Sequence, residues 1–265
     1  MPDEHYRMAI DLSRTIAAEV GTPRFYLEKE REVALSRELF GGEPLIAAGL
    51  SLIAGREACI GHGISHVEKV AVDSGALVLI EAGAAAADAR TRRLVLLAHL
   101  AGLFHDICRT ERDHAERGAE EATTLLAGLA LGSDECAAIA AAIGNHEAFR
   151  PCQRPPDRAG QLLSAVLYDA DKFRWGPDNF TETLWAMVAL RGIPLPELLP
   201  RLLPGIEGVG RVRDTFRTPT GKDYGPDFID RGVAIGRKLH AVLSARFPSG
   251  EAVDRGRTPA RDAHS

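Results

Sequence analysis

Aromatic residues are scarce in this sequence, at 6% of 265 positions. Alanine, leucine and glutamate are abundant instead, a composition that favours helices over a sheet sandwich built on tyrosine, valine and threonine. Cysteine is also rare: Cys59, Cys108, Cys136 and Cys152 are widely spaced and form no CxxC pair. That spacing argues against a disulfide framework or a zinc ribbon, and the four are expected to be reduced core thiols. There is no run of lysine and arginine, and the net charge is −5, so no general nucleic-acid binding is expected. No apolar run approaches the ~20 residues needed to span a bilayer, and the opening MPDEHYRMAI has no secretion-signal pattern. These absences imply a soluble cytoplasmic protein without a membrane partner. Gly208-Val209-Gly210 lacks the preceding strand and the third glycine of a dinucleotide fingerprint, and no solenoid-type repeat is visible.

Hydrophobic residues make up 45% of the chain, enough for a substantial core in one domain with extensions. Periodicity and capping signals predict an all-α chain. Two amphipathic helices, 4–20 and 24–39, flank Gly21-Thr22-Pro23. The stretch PLIAAGLSLIA follows, then a periodic segment at 57–82 that carries His62 and His66 on one face. The run LVLLAHLAGLF is apolar almost all round, which on such a chain means a helix buried in the middle of a bundle. Asp113 is expected to cap a helix ending near Leu131, and Ser133 one running to about Glu147. A helix at 158–173 ends in Asp169-Ala170-Asp171. Pro194, Pro196, Pro200 and Pro204 predict short helices and turns over 193–210, a last helix covers 226–246, and the tail 248–265 has too few apolar residues to order.

A divalent metal site needs histidines and carboxylates converging from several elements, because one helix face presents only two. His66, the pair His105 and Asp106, His114, His146 and Asp171 lie near the middles or ends of separate predicted helices and form such a set. The His105-Asp106 pair ends the buried helix, where an uncompensated carboxylate is costly, and a metal would satisfy both groups. His99 reads as a core histidine, and His5, His240 and His264 as surface residues.

These segments resemble the HD-domain superfamily of metal-dependent phosphohydrolases. GHGISHVEKV at 61–70 is similar to the family's GHxxxHxxRV segment, with Lys69 in place of arginine. FHDICRTERDHAERGAEEA at 104–122 is similar to HDIGR…DHxxxGA, and IGNHE at 143–147 and LYDADKF at 167–173 resemble the IxxHE and DADxL elements. The resemblance covers about residues 55–175. It implies an HD helical bundle there, with helical extensions at 1–54 and 176–247 and a disordered tail at 248–265. It makes His66, His105, Asp106 and Asp171 the ligands of a first metal ion, and it matches His114 and His146 to a second ion bridged through Asp106. The interval between His105 and His114 is shorter than in many dinuclear relatives, which leaves phosphate binding open as the alternative role of His114.

Lys69, Arg109, Lys172 and Arg174 cluster by motif around these ligands and suit a nucleotide or another small phosphorylated metabolite, with His62 as a further contact. Trp175 could stack on a base or simply pack. A divalent ion (Mn, Fe, Co, Ni or Mg) at such a site activates water and polarises phosphate, and the histidines favour a transition metal. Asp106, Glu147 and Asp169 are the candidate catalytic carboxylates, the last two for proton transfer. A diiron oxygenase acting on a phosphorylated or polyol substrate, and a non-catalytic regulatory module, stand as alternatives. The sequence leaves the substrate, the number of ions and the association of identical chains open.

Overall fold

Twelve α-helices and no strand make up the regular structure among the described residues of the computed structural model, which are 4–56, 63–83 and 88–247. Cys59, His62, His264 and the tail 248–265 lie outside them. The all-α fold class expected from composition is the one observed.

The centre is a pair of helices, α5 (Ile64–Glu81) and α6 (Ala89–Phe104), packed along most of their length. Asp88 caps α6 by accepting from the Thr91 amide at 2.7 Å. From Val95 to Phe104 every side of α6 is buried, as expected of a helix apolar all round. The two backbones come close because Gly102 has no side chain: a Cβ there would lie 2.4 Å from the Ala71 Cα. His99 is a core histidine, as expected. Ser36 donates to the Val72 carbonyl at 2.7 Å and contacts His99 Nε2 at 2.9 Å. The hydroxyl has one proton to give, so Nε2–H is the donor in that second bond.

Around this pair lie α1 (Glu4–Val20), α2 (Arg24–Glu28), α3 (Glu30–Gly42) and α4 (Pro44–Ile53) on the N-terminal side. Then come α7 (His114–Leu126), α8 (Ser133–Gly144) and α9 (Arg158–Phe173). A π-helical turn at Asn179–Thr183 leads into α10 (Leu184–Arg191), α11 (Leu195–Gly210) and α12 (Pro219–Arg246).

Four expectations are corrected. The helix expected at 24–39 breaks at Lys29. The segment 193–210 is largely one helix despite Pro200 and Pro204 in its interior. Its Leu198, Leu202, Ile206 and Val209 form a buried stripe, whereas both prolines sit on the exposed face, where water can satisfy the carbonyls they leave unbonded. The last helix starts at Pro219, not near 226, because the Thr218 hydroxyl caps it by accepting from the Gly221 amide at 2.8 Å. Cys108, Cys136 and Cys152 carry free thiols, but none is buried and Cys152 is exposed.

Candidate metal centre

His66 occupies the first turn of α5, just after Gly63, whose φ of 81° favours glycine. His105 caps the C-terminus of α6, and Asp106 follows it. His114 opens α7, His146 follows the C-cap residue of α8, and Asp171 lies in the last turn of α9. The candidate ligands thus come from the ends of the central pair and of three helices packed around it, and all six are buried.

They gather in two sets, His66, His105 and Asp171 in one, Asp106, His114 and His146 in the other, with the donor atoms of each set within 4.8 Å of one another. Asp106 also joins the two. Its Oδ2 lies 3.5 Å from His105 Nε2 and 3.8 Å from His66 Nε2, while its Oδ1 lies 3.5 Å from His146 Nε2 and 3.9 Å from His114 Nε2. Asp171 Oδ1 is 3.6 Å from both His66 and His105 Nε2. These separations are long for hydrogen bonds. Two nitrogen or oxygen donors about 2.1 Å from one ion are about 3.0 Å apart at a right angle and about 3.6 Å at 120°, so the spacings suit donors that share an ion.

The proton positions agree. His105 Nδ1 lies 2.8 Å from the Gly102 carbonyl and His146 Nδ1 lies 2.6 Å from the Ile143 carbonyl. A carbonyl only accepts, so each Nδ1 carries a proton, and each Nε2 is the nitrogen turned toward Asp106. That is the usual way a second hydrogen bond fixes a metal-binding imidazole. His105 Nε2 is buried and has no hydrogen-bond partner, a cost that a cation would remove. These buried groups could hold metal ions.

Electrostatics point the same way. Burial acts to lower the pKa of His105, but the Asp106 and Asp171 carboxylates overcome it and raise the value. Burial acts to raise Asp106, and His105 and His146 hold it far below the usual carboxylate range. Asp171 is also held low against burial, chiefly by Lys172, whose Nζ lies 2.5 Å from its Oδ2. His114 falls to about 4 through burial, the neighbouring His146 and Arg109. The centre is therefore built for anionic carboxylates facing positive charge.

A cavity of about 520 Å³ opens at this centre. Arg109, Glu147, Lys172 and Trp175 line it, as does one edge of Arg174. Arg109 Nε stands 3.6 Å from Asp106 Oδ2, and Glu147 Oε1 stands 3.4 Å from His114 Nδ1. The Lys172 ammonium lies over the rings of Tyr168 and Trp175, so Trp175 packs and borders the cavity at once.

Three sequence expectations are corrected here. Asp169 is turned away from the cavity and fully buried, where it accepts from the Arg217 amide at 2.8 Å, the Thr218 amide at 2.8 Å and the Thr218 hydroxyl at 2.7 Å. It is a structural anchor for the start of α12, because two positions along a helix carry a side chain to nearly the opposite face from Asp171. Lys69 does not line the cavity. Its ammonium is held 2.6 Å from Glu182 and 3.5 Å from Asp178. Arg174 is buried against Asp73, 2.5 Å away, with Asp178 and the Tyr26 hydroxyl as further partners, so its charge is already balanced. The sequence reading missed Asn145, whose side chain bonds Gln153 and Ser164 and fixes the loop after His146. It also missed Phe149, Met187 and Arg201, which line the cavity. Asn145 sits inside the motif next to a ligand and could have been suspected. The others could not, because they arrive from α10, α11 and a loop without a motif. Compared with known proteins, the chain matches no family, no curated protein and no solved structure.

Proposed function

We propose that this chain is a metal-dependent phosphohydrolase of the HD-domain type acting on a small phosphorylated substrate. The observation that carries the reading is the double use of Asp106, one oxygen toward His66 and His105 and the other toward His114 and His146, at the floor of a cavity bordered by cations. Transition-metal ions such as Mn, Fe, Co or Ni, which these histidine-rich donors suit better than Mg, supply Lewis acidity toward phosphate oxygens and activate water when bound.

The chain's own groups do the rest. Arg109, partly exposed at the cavity, binds the phosphate oxygens, and its charge is worth most as negative charge develops in the transition state; Lys172, bonded to Asp171, keeps that carboxylate ionised. Asp106 and Asp171 stay ionised, so they orient water by accepting hydrogen bonds. Glu147, partly exposed and beside His114, can pass a proton to the leaving oxygen. His114 takes part as a ligand, in keeping with its spacing to Asp106 and its low pKa, which leaves the ring neutral.

Metal analysis of the purified protein combined with a phosphate-release screen over monoesters, diesters and anhydrides tests this. We expect up to two ions per chain, phosphate release, and a loss of at least about 100-fold in Asp106→Asn. Metal-loaded protein that releases phosphate from no substrate, or that instead consumes dioxygen, overturns the reading.

A further inference from the structure

The cavity lining has two chemically different parts. His66, Asp106, His114, His146 and Asp171 with Arg109, Lys172 and Glu147 make up one. The other is a wall from the segment 179–209, where Phe180, Leu184, Met187, Leu198, Leu202 and Ile206 border the space. On α11 the lining residues recur at helical spacing, so a continuous apolar stripe looks into the cavity rather than only into the core. Of the described residues on this wall, Arg201 is the one charged side chain, and it is exposed toward solvent. Asn179 and Thr183 are its polar groups.

A second feature stands at the rim. Phe149, three residues after the ligand His146, lines the cavity with 59% of its surface exposed. It is also the one described non-glycine residue with positive φ, at 63°. A bulky residue in that region is strained and is kept there only when its surroundings hold it. The Arg211 guanidinium lies 5.0 Å from the centre of its ring and fixes the aromatic plane at the mouth. An exposed ring held in a costly backbone conformation over a cavity gains nothing for the core.

From these two features, and resting on the phosphohydrolase reading, we infer that the substrate is a phosphate ester of an apolar, uncharged alcohol. Its alkyl or aryl group lies along the α11 stripe, and Phe149 covers it at the mouth. A bare phosphate would leave most of the volume empty, since cavities of this size enclose ligands of drug-like bulk. Sugar phosphates need many hydrogen-bonding partners, and this wall offers two short polar side chains. Hydrolysis forms a bond from water oxygen to phosphorus and breaks the ester P–O bond. The leaving oxygen takes a proton, giving the alcohol and inorganic phosphate.

A homologous series of alkyl phosphates from ethyl to octyl, with glycerol 2-phosphate and adenosine 5′-monophosphate beside it, reads this out on metal-loaded protein. Each methylene seated on the stripe raises kcat/KM by about fourfold, so butyl should exceed ethyl by at least about tenfold before the gain levels off. The ratio of butyl to ethyl phosphate should fall at least about fivefold in Met187→Gln and in Phe149→Gly, the latter a change that relieves the backbone. Tryptophan fluorescence titration with the matching alkylphosphonates should give the same order of affinities without turnover. Hydrolysis of the small esters with no gain along the series, or a preference for the nucleotide, overturns the apolar assignment and leaves the hydrolase reading standing. Hydrolysis of none of the compounds overturns both.

Discussion

Gly102→Ala tests how the central helix pair and the candidate metal centre depend on one backbone contact. The added Cβ would lie 2.4 Å from the Ala71 Cα and 2.6 Å from the Ala71 nitrogen. Both are backbone atoms, which cannot swing aside, and reaching an ordinary contact near 3.4 Å requires α5 and α6 to separate by about 1 Å. A gap of that size forfeits roughly a quarter to a half of the attraction of each contact along the seam. The seam includes the fully buried Val67, Val70, Leu100 and Leu103. We therefore expect an overpacking cost of about 3–4 kcal/mol, at or above the upper end of the usual range. Replacing a mid-helix glycine by alanine returns about 1 kcal/mol, so the steric term wins and the net loss is about 2–3 kcal/mol. At about 2–4 °C per kcal/mol for a chain of this size, the melting midpoint should fall by about 5–10 °C. Gly208→Ala is the control, since a Cβ there meets nothing within 4 Å, and it should stabilise by up to about 1 kcal/mol. Both variants are measured by denaturant titration and thermal melting. A Gly102→Ala protein as stable as the parent would refute the packing argument. Because the Gly102 carbonyl holds His105 Nδ1, metal affinity should weaken in the same variant.

His105→Ala should strip the set with His66 and Asp171 of its ion, seen by elemental analysis as a loss of at least one ion per chain; unchanged metal content would count against the site. Asp169→Asn should lower unfolding free energy by about 1–3 kcal/mol, because an amide nitrogen would face one of three donors, and metal content should stay the same; lost metal with unchanged stability would restore a role at the centre. Burial lowers the pKa of His99 from 6.5 to about 3, so the unfolded state binds more protons between those values. Its contribution is complete above pH 6.5 and is lost as pH falls toward 3. Between about pH 6.5 and 4.5 the parent should lose roughly 2 kcal/mol more than His99→Gln, and parallel pH profiles would defeat that account.

What could be read from the sequence follows from which signals are local. The buried helix before His105 announced itself through its unbroken apolar run, and the candidate ligand set through histidines and carboxylates placed at the ends of several helices. Asp171 and Asp169 were harder. Both sit in one acidic run, and only the phase of α9 and the position of Thr218, reached through a distant segment of chain, separate the cavity face from the structural one. The prolines of α11 misled for a similar reason. Their local cost is fixed, but whether they break a helix depends on the face they occupy, and that is a tertiary fact.

The cations show how far a local motif can carry a functional argument. Four basic residues near the candidate ligands suggested a phosphate-binding ring, yet Lys69 and Arg174 are bound to Glu182, Asp178 and Asp73 and Lys172 to Asp171, leaving Arg109 as the most exposed of the four at the cavity. Arg174 and Asp73 are both buried, so removing one strands the other charge at a cost of about 3–5 kcal/mol, whereas Lys69 and Glu182 are partly exposed and their pair contributes at most about 1 kcal/mol. The partners Asp178 and Glu182 flank and enter the turn that carries Asn179 and Thr183 into the cavity wall. Lys69 and Arg174 are thus the ties that fix that wall to α5 and α9. Under the phosphohydrolase proposal, phosphate affinity rests on Arg109 and whatever ions the two histidine sets hold, and discrimination among phosphate esters on the wall that Lys69 and Arg174 tie in place.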